Sequence, residues 1–171
     1  MATAKMRVFA KYALFFITAL LVLAADQTSK AWITAHFALH ASRPLVPGCL
    51  SISHIRNPGA AFGFLAAASP GFRSVFFLAV TAVAILLIVY YLARTKRQEK
   101  LLVFSLALIL AGAVGNLVDR IRFGEVIDFL DVYVGTHHWP AFNCADAAIS
   151  CGAVLLFLQL VRDRKAARHP A

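Results

Sequence analysis

Uncharged, apolar runs recur four times along the chain, and nearly all of the charged residues fall between them. Residues 74–93, SVFFLAVTAVAILLIVYYLA, give twenty uncharged positions bracketed by Arg73 and Arg94. At about 1.5 Å per residue such a run predicts a helix that crosses the roughly 30 Å hydrocarbon core of a bilayer. Residues 101–118 give eighteen more uncharged positions. The runs at 12–25 and 147–161 are fourteen and fifteen long. They reach spanning length when the first continues through Asp26 towards Lys30 and the last starts near Asn143. The predicted spans are therefore about 12–30, 72–93, 101–120 and 143–161, in a single membrane domain over residues 1–171.

The pattern changes between the first two spans. Pro44, Pro47 and Gly48 punctuate it, and Leu50-Ser51-Ile52-Ser53-His54-Ile55 then alternates apolar and polar. A period of two predicts a strand, so a small β-structured lobe is expected outside the bilayer over about 36–70. Asn57-Pro58-Gly59 is a turn leading into a Gly- and Phe-rich segment able to lie along the interface. The expected fold is an α-helical integral membrane protein with four transmembrane helices and a small extracytoplasmic β lobe between spans 1 and 2.

Composition agrees. With 61% hydrophobic residues and a mean hydropathy of +0.75, the chain is too apolar for an ordinary soluble domain. The formal charge of +9 would suit a nucleic-acid partner, but the basic residues flank apolar runs instead of forming a stripe, so none is expected. Eleven Lys and Arg lie in the N-terminus, the 94–100 connection and the C-terminal tail, against six in the two longer connections and their helix ends. That asymmetry predicts both termini in the cytoplasm and the lobe outside. Residues 12–25 after Lys5, Arg7 and Lys11 have signal-peptide character, but further spans follow, and a retained first helix is expected. Cys49, Cys144 and Cys151 match neither a zinc nor a redox spacing and are read as small buried residues.

The candidate chemistry lies between Asn116 and Asp146, which holds five of the eight acidic residues: Asp119, Glu125, Asp128, Asp131 and Asp146. Carboxylates beside hydrocarbon are expensive, which suggests a function. Asn116, Asp119 and Arg120 share a helix face at i, i+3 and i+4. Asp128 follows a helix stop at Phe123-Gly124, and Asp146 falls near the third position of the last span, with Asn143 as its cap. Two carboxylates closing one loop from opposite ends can meet at the membrane surface. Repulsion and low dielectric would then leave one protonated and one charged, the arrangement that activates water in aspartic proteases without a metal or other cofactor. Spacing leaves open which of the two holds the proton. It also leaves capping and interfacial pairing open as the role of Asp128 and Asp146. Asp119 beside Arg120 and Arg122 suits an ion pair, as does Asp26 with Lys30 four residues on. Glu125 and Asp131 read as solvated loop charges. His137 and His138 beside Trp139 read as an interfacial belt and not as metal ligands.

Five blocks together resemble the lipoprotein signal peptidase (signal peptidase II) family of bacterial membrane aspartic endopeptidases. They are Asp26-Gln27-Thr28-Ser29-Lys30, Asn57-Pro58-Gly59-Ala60-Ala61-Phe62, Gly115-Asn116-Leu117-Val118-Asp119-Arg120, Glu125-Val126-Ile127-Asp128-Phe129 and Phe142-Asn143-Cys144-Ala145-Asp146. The resemblance implies a catalytic pair of Asp128 and Asp146. It implies substrate binding by Asn57, Gly59, Asn116, Arg120 and Asn143, and support from Asp26, Lys30, Asp119 and Ala145. It further implies cleavage of diacylglyceryl-modified prolipoproteins just before the lipidated Cys, in the bacterial inner membrane, by a monomer in contact with membrane lipids. The 59–65 segment is expected to act as a lid over the site. Pro58 stands where Thr is frequent and Cys144 where an aliphatic residue is usual. The alternative is a small ion- or proton-coupled transporter, since intramembrane carboxylates also mark ion paths. No paired broken helices or inverted repeat support it.

Overall fold

A computed structural model of the chain describes residues 2–59, 64–95 and 99–168, with side chains from 9 to 162 within those ranges. Four long helices, α1 (Ala2–His36), α2 (Pro70–Arg94), α3 (Lys100–Phe123) and α4 (Cys144–Arg168), alternate with the strands of one small sheet. Within them Phe9–His36, Pro70–Arg94, Lys100–Phe123 and Cys144–Arg162 are long and apolar enough to cross a membrane. Their outward faces carry large apolar side chains such as Leu20, Leu86 and Ile121, each about two-thirds exposed or more (68%, 69% and 71%). Such surfaces suit lipid, where a helix satisfies its own backbone hydrogen bonds.

Helix ends follow local chemistry. Ser69 caps α2, accepting a hydrogen bond from Phe72 N, and Pro70 occupies the first turn where no N–H is required. Gly124, with φ of 76°, ends α3 in the left-handed region and donates its N–H to the Arg120 carbonyl at 2.9 Å. At the opposite end of the bundle the buried Lys11 ammonium donates to the carbonyls of Leu92 and Thr95, the second at 2.9 Å, fastening α1 to the last turn of α2.

Small residues let α3 and α4 approach closely. A Cβ at Gly112 would run into the Ala145 carbonyl, and one at Gly152 would lie 2.9 Å from the Ser105 carbonyl. Van der Waals packing of this kind, and not the hydrophobic effect, holds helices together in lipid. Phe15, Ile88, Leu92, Val103, Leu106 and Ala107 fill the space between α1, α2 and α3.

The sheet takes strands from both long connections: β1 (Ser42–Val46), β2 (Leu50–Asn57), β3 (Val126–Val134) and β4 (His137–His138), in the order β1-β2-β3-β4, with every pair antiparallel. The β lobe expected between spans 1 and 2 thus has a second half, contributed by the acidic stretch between spans 3 and 4. Sequence pattern did not reveal β3 because Val126, Ile127, Asp128 and Phe129 are all buried. A strand covered on both faces has no polar alternation. Ile33 of α1 packs on Ile127 and Phe129 and seats the sheet on the bundle.

Two smaller expectations change, and a third is not reached. Asp131 lies on β3 and pairs with His138 at 2.8 Å, so it is not a free loop charge. Cys49 and Cys151 are exposed, and only Cys144 is partly buried. An apolar residue of a membrane protein need not be interior. The proposed lid over 59–65 falls largely on residues 60–63, outside the described residues.

Replacing Gly112 by Ala should push α3 from α4 and lower stability by about 1–3 kcal/mol. Replacing Gly71, whose Cβ position is open, should be neutral or slightly stabilising. Thermal unfolding of both variants in detergent checks this, and equal melting temperatures would contradict the close α3–α4 contact.

Candidate active site

The site forms where the sheet meets one end of the bundle. Its foundation is Lys30, which is 1% exposed and lies one turn beyond Asp26 on α1. The Lys30 ammonium contacts Asp26 Oδ2 at 2.9 Å and Asp119 Oδ2 at 2.8 Å, and it donates to Asn116 Oδ1 at 3.0 Å. Three donors meet three acceptors. The remaining lone pairs are also used: Asp26 Oδ1 accepts from Ala145 N at 2.9 Å, Asp119 Oδ2 from Ile127 N at 3.2 Å, and Gln27 Nε2 contacts both carboxylates. Lys30, and neither neighbouring arginine, is the ion-pair partner of Asp119. Gly115 is required here, since its Cβ would lie 2.6 Å from Asp26 Oδ2.

The network sets the orientation of two asparagines. Because Asn116 Oδ1 faces Lys30, its Nδ2 must point the other way, and it donates to Asp146 Oδ1 at 2.7 Å. Asn143 caps α4 reciprocally: its Oδ1 accepts from Asp146 N at 2.9 Å, while its own N–H faces Asp146 Oδ2 at 3.3 Å. The Nδ2 of Asn143 reaches Asp128 Oδ1 at 2.7 Å and also contacts Asn116 Oδ1 and the Ile127 carbonyl, each at 3.2 Å. One amide therefore ties Asp128 to the cap that holds Asp146.

Backbone pairing brings the two ends of the loop together. Phe142 N donates to the Leu130 carbonyl at 3.0 Å, and the Phe142 carbonyl accepts from Leu130 N at 2.8 Å and Phe129 N at 3.0 Å. The segment entering α4 is thereby docked on β3. On the other side Ile55 of β2 faces Asp128 in register, so Asn57, two residues on, is its diagonal neighbour. Asn57 Nδ2 donates to Asp128 Oδ2 at 2.9 Å, and its Oδ1 accepts from Gly59 N at 3.0 Å. Arg120 stacks on the Phe77 ring at 3.9 Å and donates to the Gly59 carbonyl at 3.0 Å.

Asp128 and Asp146 both line a cavity of about 490 Å³ together with Asn57, Gly59, Asn116 and Arg120. Its other wall is apolar, from Trp139 and Phe142 to Ile149 and Cys151. Asp128 is 1% exposed. Burial pushes its carboxyl up from 3.8 to about 7, and the nearby charge of Asp146 adds to the rise. The N–H groups of Asn57 and Asn143 and the charge of Lys30 act against it. Among the described residues no group of three His, Cys, Asp or Glu side chains converges as a metal set.

The catalytic, binding and supporting residues named from the sequence thus all contribute to one cluster. Asn143 and Ala145 lie against the Lys30 network and not on the cavity wall. Gln27, Phe77 and the apolar wall were not singled out. Gln27 lies in the first matching block, whereas no local signal distinguishes Phe77 or Ile149 from other span residues.

A multi-pass helical membrane protein with one buried and one half-buried carboxylate at the bundle's end, facing an amphipathic cavity, is the class defined by this fold and site. A family model described as signal peptidase (SPase) II matches residues 18–162. The lipoprotein signal peptidase of Syntrophus aciditrophicus is 56% identical over 152 residues, covering 89% of this chain and 94% of that one. That of Geobacter metallireducens is 48% identical over 154 residues, covering 90% and 94%. A bacterial membrane enzyme solved by the in meso method at 2.3 Å resolution superposes with a TM-score of 0.82 at 29% identity, covering 92% of both chains. The chain belongs to the signal peptidase II family and is a membrane peptidase. That membership decides against the transporter alternative.

Two outcomes test the geometry. Lys30→Met would leave Asp26 and Asp119 buried without their cation, and a loss of about 3–5 kcal/mol is expected. Unchanged unfolding in detergent would contradict the network. For Asp128, the folded protein holds a proton between about pH 4 and 7 that the unfolded chain has released, so this group makes stability fall as pH rises through that window. Asp128→Asn removes the effect. The melting temperature of the variant relative to wild type should therefore rise from pH 5 to pH 8, and a pH-independent difference would contradict the raised value.

Proposed function

We propose that the protein is an aspartic endopeptidase that removes the signal peptide of diacylglyceryl-modified prolipoproteins by cutting just before the lipidated Cys. The observation that carries this reading is the pair of carboxylates, Asp128 buried and Asp146 half-buried, each held by amide N–H donors, on one wall of a largely apolar cavity. A substrate held in the bilayer by a helix and acyl chains would present its scissile bond at that level.

In this mechanism Asp128 enters protonated and Asp146 ionised. Asp146 takes a proton from water as the water oxygen attacks the scissile carbonyl carbon, and Asp128 gives its proton to the carbonyl oxygen. The tetrahedral intermediate then collapses: the amide nitrogen gains a proton, the C–N bond breaks, and the dyad returns to its singly protonated state. Asn57, Gly59 and Arg120 orient the peptide backbone, with Arg120 a rigid set of donors braced on Phe77. Asn116 and Asn143 hold the carboxylates. Asp26, Lys30, Asp119 and Ala145 keep both asparagines in orientation.

The enzyme works in the bacterial cytoplasmic membrane with both termini inside and the sheet outside, in keeping with the distribution of Lys and Arg. The reading predicts that Asp128→Asn and Asp146→Asn each fold yet lose single-turnover cleavage of a purified diacylglyceryl-prolipoprotein by about 10³-fold or more. A folded variant that cleaves at near the wild-type rate would remove that carboxylate from the mechanism.

A further inference from the structure

Outside the active site, two arginines converge on one ring at the sheet-side end of α3. The guanidinium carbon of Arg56, on β2, lies 4.7 Å from the centre of the Phe123 ring, and that of Arg122 lies 4.9 Å from it. The two guanidinium carbons are thus at most about 10 Å apart, and Arg122 is exposed, so a small swing of its side chain brings both onto one phosphate group. Neither has a carboxylate or hydrogen-bond partner among the described residues, although each carries five N–H donors. Glu125, next along the chain, forms no ion pair with either, so the three side chains together carry a net positive charge.

The position matters as much as the charge. Phe123 is the last residue of α3, beside the left-handed stop at Gly124, and Ile121, two residues before it, is 71% exposed on a surface suited to lipid. The arginines therefore stand where the apolar surface of a span gives way to the polar sheet, which is the depth of phospholipid phosphates. A separate cavity of about 80 Å³, lined by Gln27, Lys30, Thr34, Asp119, Arg122 and Phe123, opens at the same place. It shares no lining residue with the peptide cavity, and its polar lining suits the hydroxyls of a headgroup.

We propose that Arg56 and Arg122 form a binding site for the phosphodiester of an anionic glycerophospholipid in the sheet-side leaflet, distinct from the peptide site. Stacking on Phe123 holds both guanidiniums in place, so less side-chain freedom is lost when the phosphate arrives. The acyl chains lie along the exposed apolar face at the end of α3.

The test uses the full chain, purified in detergent and titrated with phosphatidylglycerol or phosphatidylcholine, with bound lipid counted by native mass spectrometry. Wild type should retain phosphatidylglycerol at least tenfold more tightly than Arg56→Gln/Arg122→Gln, with phosphatidylcholine retention equal in both proteins. If the double variant does not fold, Arg122→Glu is measured instead, since that side chain is exposed, and the same loss is expected. Equal phosphatidylglycerol retention by a folded variant would overturn the proposal. So would glycerol phosphate protecting wild type against unfolding as strongly as the lipid does, because the site would then take a soluble phosphate ester.

Discussion

Lys30 carries its ammonium into a place almost closed to water, and the three acceptors around it come from two helices: Asp26 of α1, and Asn116 and Asp119 of α3. Moving a charge out of water costs several kcal/mol, and leaving either carboxylate without it would cost more. Each partner is therefore confined to one position. Asp26 in turn receives the N–H of Ala145, which fixes the first turn of α4, and Asp119 receives that of Ile127, which fixes the start of β3. One buried ion cluster thereby registers two helices, a third helix terminus and a strand. The proposed catalytic carboxylates lie at the ends of the two elements so fixed.

The asparagines convert that register into chemistry. An amide has a donor end and an acceptor end, and a neighbour that only donates decides which way it points. Lys30 decides for Asn116, and Asn116 then offers an N–H to Asp146. Asn143 is held by its own cap and offers an N–H to Asp128. The carboxylates receive neutral donors, while the positive charges of Lys30 and Arg120 stay in electrostatic reach without pairing with Asp128 directly. Full ion pairing would hold a carboxylate ionised, whereas amide donors and burial leave Asp128 able to keep a proton near neutral pH.

Stability and access place opposite demands on the same end of the bundle. α3 and α4 meet through Gly112, Ala145 and Gly152, where not even a methyl group fits between them. Beside this contact the cavity opens between α3, α4 and the sheet, lined by Asn116 and Arg120 of α3 and by Asp146 and Cys151 of α4. Close packing and access thus adjoin along the same pair of helices. Small residues allow the first, and the turn set by the Asn143 cap aims Asp146 at the second.

The number of spans, the alternating strand β2 and the helix stop at Gly124 were legible from the sequence because each depends on periodicity or on a single residue's backbone preference. The five matching blocks also hold most of the polar groups that lie beside apolar runs, and these are the ones that meet in one cluster. Other features required the folded chain. The first half of strand β3, Val126 to Phe129, is buried on both faces and has no alternating pattern to detect, so the acidic stretch read as a loop. Asp119 has two arginines within three residues in sequence, yet its partner is Lys30, 89 positions away, because only packing of α1 on α3 brings them together. The meeting of Asp128 with the Asn143 cap depends on Phe142 pairing with β3, a contact that spacing along the chain does not encode. Residue type and local order determined which groups could do chemistry, and long-range pairing through buried hydrogen bonds decided which of them face one another.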